Sequence, residues 1–138
     1  MIVDSHRAVV AADPDDVFAV ITEIAGRGHG IEPVVAVVAV DHRGRLFSYE
    51  SRTEDADPSR ARWTWTVRPA PGTTAGALVI VDWHIDVRSS LRRFLWPVRA
   101  WRLRTREVPR SIDALAAEVA RRAATRPPSH RRLHLQAG

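Results

Sequence analysis

Three side chains alternate along one predicted strand, Asp82, His84 and Asp86, and a carboxylate-imidazole-carboxylate row of that kind could hold a metal or orient a histidine for proton transfer. The residues between them decide the matter. Val79, Val81, Trp83, Ile85 and Val87 form an unbroken apolar set that must face the interior, which sends the acidic row to solvent as an ion-pair ladder beside Arg60 and Arg62. Tyr49 is the single tyrosine, and on an inward face its hydroxyl would orient a ligand carbonyl or donate a proton. Arg45, near the end of the same strand, is placed to meet an acidic group at a cavity mouth, unless it is only a solvated strand end. The run Gly26-Arg27-Gly28-His29-Gly30 has the look of a phosphate cradle but lacks the preceding strand and following helix that would aim amides at a phosphate, so it reads as a link. No Ser-His-Asp set, paired buried carboxylates or metal-ligand spacing stands out, so neither a metal nor any other cofactor is expected.

The elements that position these residues follow from periodicity. Residues 2 to 11 read as a strand. Asp13 can cap a helix, Pro14 suits its first position, and Asp15 and Asp16 sit at the positive end of its dipole. Val17, Val20, Ile21 and Ile24 give that helix one buried face. Residues 34 to 40 are a continuous apolar run, Asp41 to Gly44 a tight turn, and residues 45 to 53, 60 to 68 and 75 to 87 further strands.

Register is testable on paper. A hairpin centred near Gly72-Thr73-Thr74 sets Trp63 opposite Trp83, Trp65 opposite Val81 and Val67 opposite Val79, with Arg62 opposite His84, Thr64 opposite Asp82 and Arg60 opposite Asp86 on the other face. Folding the preceding hairpin about Ala56 brings Tyr49 to Trp63, Phe47 to Trp65 and Glu50 to Arg62. Both hairpins agree on the faces, and the result is a curved antiparallel sheet with an aromatic inner surface. Beyond Ser89 the positions Phe94, Val98, Trp101, Thr105, Val108, Ile112, Leu115 and Val119 alternate spacings of four and three, a stripe that predicts a long helix facing the sheet. Pro97 and Pro109 interrupt it, so a short leading segment and a kink near Pro109 are expected.

Length and composition bound the rest. The 138 residues suffice for one domain over residues 1 to 125, followed by a basic tail over 126 to 138 expected to be disordered. With no cysteine, disulfides and thiolate chemistry are excluded. No apolar stretch approaches the roughly 18 to 20 residues of a membrane span, and a cytoplasmic location is the expectation. All 21 basic residues are arginine, which fits GC-rich coding bias. Residues 1 to 87 hold 8 Arg against 13 acids, whereas residues 88 to 138 hold 13 Arg against 3 acids. The basic final third invites weak, salt-sensitive association with nucleic acid or anionic membrane. The aromatics are not interleaved with these arginines, which argues against a specific nucleic-acid partner.

The stretches Ala12-Asp13-Pro14-Asp15-Asp16-Val17-Phe18-Ala19-Val20-Ile21-Thr22-Glu23-Ile24, Arg62-Trp63-Thr64-Trp65-Thr66-Val67 through Gly72-Thr73-Thr74 to Asp82-Trp83, and Ser111-Ile112-Asp113-Ala114-Leu115 resemble the SRPBCC or START-like superfamily, in particular its polyketide cyclase/dehydrase-type branch. The resemblance implies an α+β helix-grip fold, with a curved antiparallel sheet wrapped around a long C-terminal helix and an apolar cavity between them. It also implies a hydrophobic small-molecule partner such as a lipid or polyketide, and alternatively a cyclase, aromatase or dehydratase using the same cavity. On the residues' own evidence, Phe47, Tyr49, Trp63, Trp65 and Trp83 share one face, with Trp101 opposing them from the helix and Arg45 at the rim. These rings either line a ligand site or fill the core. The chain departs from the family pattern in having no tryptophan between Arg27 and Pro33 and a short segment before the tryptophan-rich strand, so one strand is missing or merged and the cavity reduced. Oligomeric state, monomer or dimer, is left open.

Overall fold

A computed structural model describes residues 2–25, 34–52, 60–72 and 75–125. The glycine link, the polar loop at 53–59 and the C-terminal tail lie outside the described residues. The chain runs β1 (Ile2–Val10), α1 (Pro14–Ala25), β2 (Val34–Asp41), β3 (Leu46–Arg52), β4 (Arg60–Pro69), β5 (Ala77–Asp86), α2 (Ser90–Arg102), a π-turn (Leu103–Glu107) and α3 (Val108–Ala124). The five strands form one antiparallel sheet in the order β1-β5-β4-β3-β2, so the first strand closes against the last and β2 forms the far edge.

The register is the one that the alternation of side chains requires. Trp63 pairs with Trp83, Trp65 with Val81 and Val67 with Val79. Tyr49 pairs with Trp63, and Phe47 with Trp65. On the outer face Arg62 meets His84 and Glu50, and its guanidinium lies 2.9 Å from the Glu50 carboxylate. The turns supply the geometry. Asp41 Oδ1 accepts from the amides of Arg43 and Gly44 at 3.1 Å each, and Gly72 takes the positive φ of 75° that its hairpin turn needs.

Helix α1 starts where its sequence directs. The Asp13 carboxylate accepts from the Asp15 amide at 2.8 Å, and Asp15 and Asp16 occupy the first turn. Removing this cap in Asp13→Ala is expected to cost about 0.5–2 kcal/mol, read as a lowered urea midpoint at unchanged slope. Val17, Phe18, Val20 and Ile21 are buried, and with Val108, Ile112, Leu115 and Val119 of α3 they join the aromatic sheet face in one core. The two helices are also tied at their ends, since Arg122 reaches Glu23 at 2.7 Å and Glu118 at 3.0 Å. Hydrogen bonds from Arg121 and Arg122 hold the Glu118 carboxyl well below the usual range, at about 2.

The terminal helix departs from the expected stripe. Its second half, from Val108, lies on the sheet as predicted, whereas Phe94, Val98 and Trp101 are 82, 61 and 54% exposed and Thr105 is exposed as well. The cause is the π-turn. Pro109 has no amide hydrogen and its ring crowds the carbonyl four residues back, and just ahead of it the Val108 amide donates to Leu103 O, five residues back. One added residue turns everything upstream by about 100°. Leu103, 1% exposed, takes the inward place that Thr105 would have had, and Trp96 is the partly buried residue of α2 that packs against the core. Arg104 Nε donates to Asp4 Oδ2 at 2.9 Å and pins the π-turn to β1.

Candidate functional site

The aromatic row on the inner face is graded from closed to open. At its closed end Trp63 and Trp83 are cross-strand neighbours, 3 and 1% exposed, with ring centroids 5.6 Å apart and planes 34° apart. The Trp63 indole N–H donates to Ser51 Oγ at 3.0 Å, which satisfies the one polar atom of that ring. These two tryptophans are core. Toward β3 the row continues through Trp65 and its partner Phe47, both still buried, and opens only at Tyr49, half-buried, with its ring 5.8 Å from that of Phe47.

Beyond β3 the inner face becomes exposed, with no cover from the described residues. Strand β2 pairs Val37 with Tyr49 and Val40 with Phe47, so both valines share the aromatic face, yet they are 53 and 43% exposed. Register shifts between Val34 and Ala36 and between Val37 and Ala39 make residues at a spacing of three, Val37 and Val40, project to the same side. The apolar surface therefore runs without interruption from the packed tryptophans to an open flank. Trp65 adds a polar element to it: its Nε1 is buried and has no hydrogen-bond partner among the described residues. An enclosed donor of this kind costs about 1–3 kcal/mol until an acceptor reaches it.

Two residues expected at this site stand elsewhere. Trp101 does not oppose the sheet aromatics, because the π-turn rotates it outward, and its ring instead carries the Arg106 guanidinium at 5.1 Å. Arg45 has a positive φ of 49° in the turn before β3, and its Nε donates to Asp15 Oδ1 at 2.8 Å, so its charge is engaged by the start of α1. Val37 and Val40 escaped the sequence reading. An apolar run of seven without alternation was the available signal, since a sheet-edge strand holding such a run needs bulges to share it between faces.

The outer face carries the Asp82, His84 and Asp86 row as a surface ladder. An open groove of about 230 Å³ there is lined by Glu50, Arg60, Arg62, His84 and Asp86. Among the described residues no group of three or more His, Asp or Glu is arranged to hold a metal ion.

No family model matches the chain, and no curated protein matches it by sequence. Solved structures do. The protein TTHA0849 from Thermus thermophilus superposes with a TM-score of 0.62 at 15% identity, over 91% of this chain and 100% of its own. Norcoclaurine synthase from Thalictrum flavum gives 0.60 at 14% identity, over 86% of each chain. The di-domain ARO/CYC protein BexL of the BE-7585A biosynthetic pathway gives 0.60 at 18% identity, over 91% of this chain and 48% of that one, so this chain spans about half of BexL. No helix among the described residues is long and apolar enough to cross a membrane. With five antiparallel strands, β1 paired with β5 and a terminal helix laid on the aromatic face, the chain has an α+β helix-grip fold similar to that of these structures.

Proposed function

We propose that the protein binds a hydrophobic, ring-containing small molecule on the inner face of the sheet, where Val37, Val40, Phe47, Tyr49 and Trp65 adjoin. The observation that carries this reading is the uncovered apolar flank of β2, continuous with the aromatic row. Affinity comes from apolar burial at about 25 cal/mol per Å². A carbonyl or phenol oxygen entering beside Trp65 would satisfy its N–H, which is buried and without a partner among the described residues. Norcoclaurine synthase has been found with this same fold in complex with dopamine and hydroxybenzaldehyde, both of that chemical type. Trp63 and Trp83 belong to the packed end and act as its wall.

The test is a panel of aromatic carbonyl compounds, phenols and polycyclic molecules followed by tryptophan fluorescence and thermal melting. A ligand at about a hundred times its Kd stabilises the folded chain by about 2.7 kcal/mol, which shows as a clear rise in Tm. Val37→Asp, at an exposed position, is expected to leave the melt in buffer unchanged and to weaken binding about tenfold or more. A panel that moves neither signal, or a Val37→Asp variant that binds as the parent does, defeats the proposal. An enzyme built on the same face would need Tyr49 as proton donor. In that case Tyr49→Phe abolishes turnover of a bound substrate while sparing affinity.

A further inference from the structure

Helix α2 has no buried residue, yet it is not polar. Leu91, Phe94, Leu95, Val98 and Trp101 are 67, 82, 50, 61 and 54% exposed. At about 100° per residue they fall within a single arc about a third of the circumference wide, along a helix about 20 Å long. Residues 88 to 106 hold seven arginines and no acid. Contacts from outside the segment neutralise part of that charge, through Arg99 with Glu107 at 2.7 Å, Arg104 with Asp4 and Arg88 with Asp86 at 3.7 Å. The face remains basic, with Arg102 exposed at its C-terminal end and Arg106 lying over the Trp101 ring.

We infer that this face docks the protein onto the surface of an anionic lipid bilayer, α2 lying in the plane of the interface. The charge pattern chooses the occupant. A second copy of this chain would set the same arginine-only stretch against itself, like charge on like charge. A nucleic acid would satisfy the guanidinium groups but press leucine, valine and phenylalanine against hydrated phosphates. An anionic bilayer meets both halves of the face at once: the apolar arc enters the boundary of headgroups and acyl chains while the flanking arginines stay at the headgroup phosphates. Trp101 with Arg106 beside it suits the rim, where one end of a ring is apolar and the other wet. The inference rests on α2 and the π-turn that follows it and stands independently of the ligand proposal.

The experiment is vesicle flotation of the full chain with phosphatidylcholine vesicles and with vesicles containing about 30% phosphatidylglycerol, at low and at about 0.5 M salt. Flotation with the anionic vesicles is expected, at least about tenfold stronger than with phosphatidylcholine alone and reduced by salt. The double variant F94S/V98S alters two exposed side chains, so its melt in buffer is expected to match the parent, while its vesicle binding falls about tenfold or more. R102E/R106E is expected to lose the anionic preference. Absence of flotation from a folded parent overturns the inference. So does anionic binding that F94S/V98S leaves intact, because the arc is then idle. A dimer in solution that F94S/V98S dissolves overturns it too, and assigns the face to a second copy.

Discussion

Trp83→Ala is expected to remove about 3–5 kcal/mol from the stability of the fold, a large fraction of the net stability of a domain. Trp83 is 1% exposed on the strand between β1 and β4, with the Trp63 ring stacked at 5.6 Å and the helices packed over the face. Truncation leaves a cavity that rigid neighbours on three sides cannot collapse into, so the cavity cost adds to the lost transfer energy. The informative control is another tryptophan. Trp101→Ala, at 54% exposure with only an arginine over its ring, is expected to change stability by no more than about 0.5 kcal/mol. Urea unfolding of both variants measures the difference. Equal losses would place Trp101 in the core and refute the rotated helix.

That contrast also marks where the sequence can be read and where it cannot. The pairing of Trp63 with Trp83 and of Phe47 with Trp65 was legible because alternation has a period of two and two hairpins constrained each other, so a slip of one residue would have exposed the whole aromatic set. The start of α1 was legible because capping is local chemistry between neighbours in sequence. Trp101 was not, because a helical stripe extrapolates only while the helix adds no residue. The spacing of Phe94, Val98 and Trp101 matches that of Val108, Ile112 and Leu115, yet a π-turn stands between the two groups. Two local clues lay in the pattern: Thr105 is its single polar member, and Pro109 cannot donate to the carbonyl of Thr105. The open flank at Val37 and Val40 was hidden for a related reason, since the bulges of β2 break the period of two on which facing is judged.

Leu103→Ala is expected to cost about 2–5 kcal/mol, although the periodic stripe passes this residue by. Leu103 is 1% exposed and is the first buried residue of the terminal helical segment, since α2 contributes none. It anchors the point where that segment reaches the core, flanked by the Arg104 bond to Asp4 and the Val108 amide bond to Leu103 O. Its truncation therefore loosens both the packing and the π-turn that sets the helix face. The complementary substitution tests the register from the other side. In an unbroken helix Thr105→Leu would complete the inward stripe and add about 1.5–3 kcal/mol by burying a leucine. With the π-turn in place residue 105 is exposed, and the same change is expected to shift stability by less than about 0.5 kcal/mol. A gain at residue 105 together with a negligible loss at residue 103 would restore the uninterrupted stripe, turn Phe94, Val98 and Trp101 toward the sheet and remove the exposed face on which bilayer docking depends.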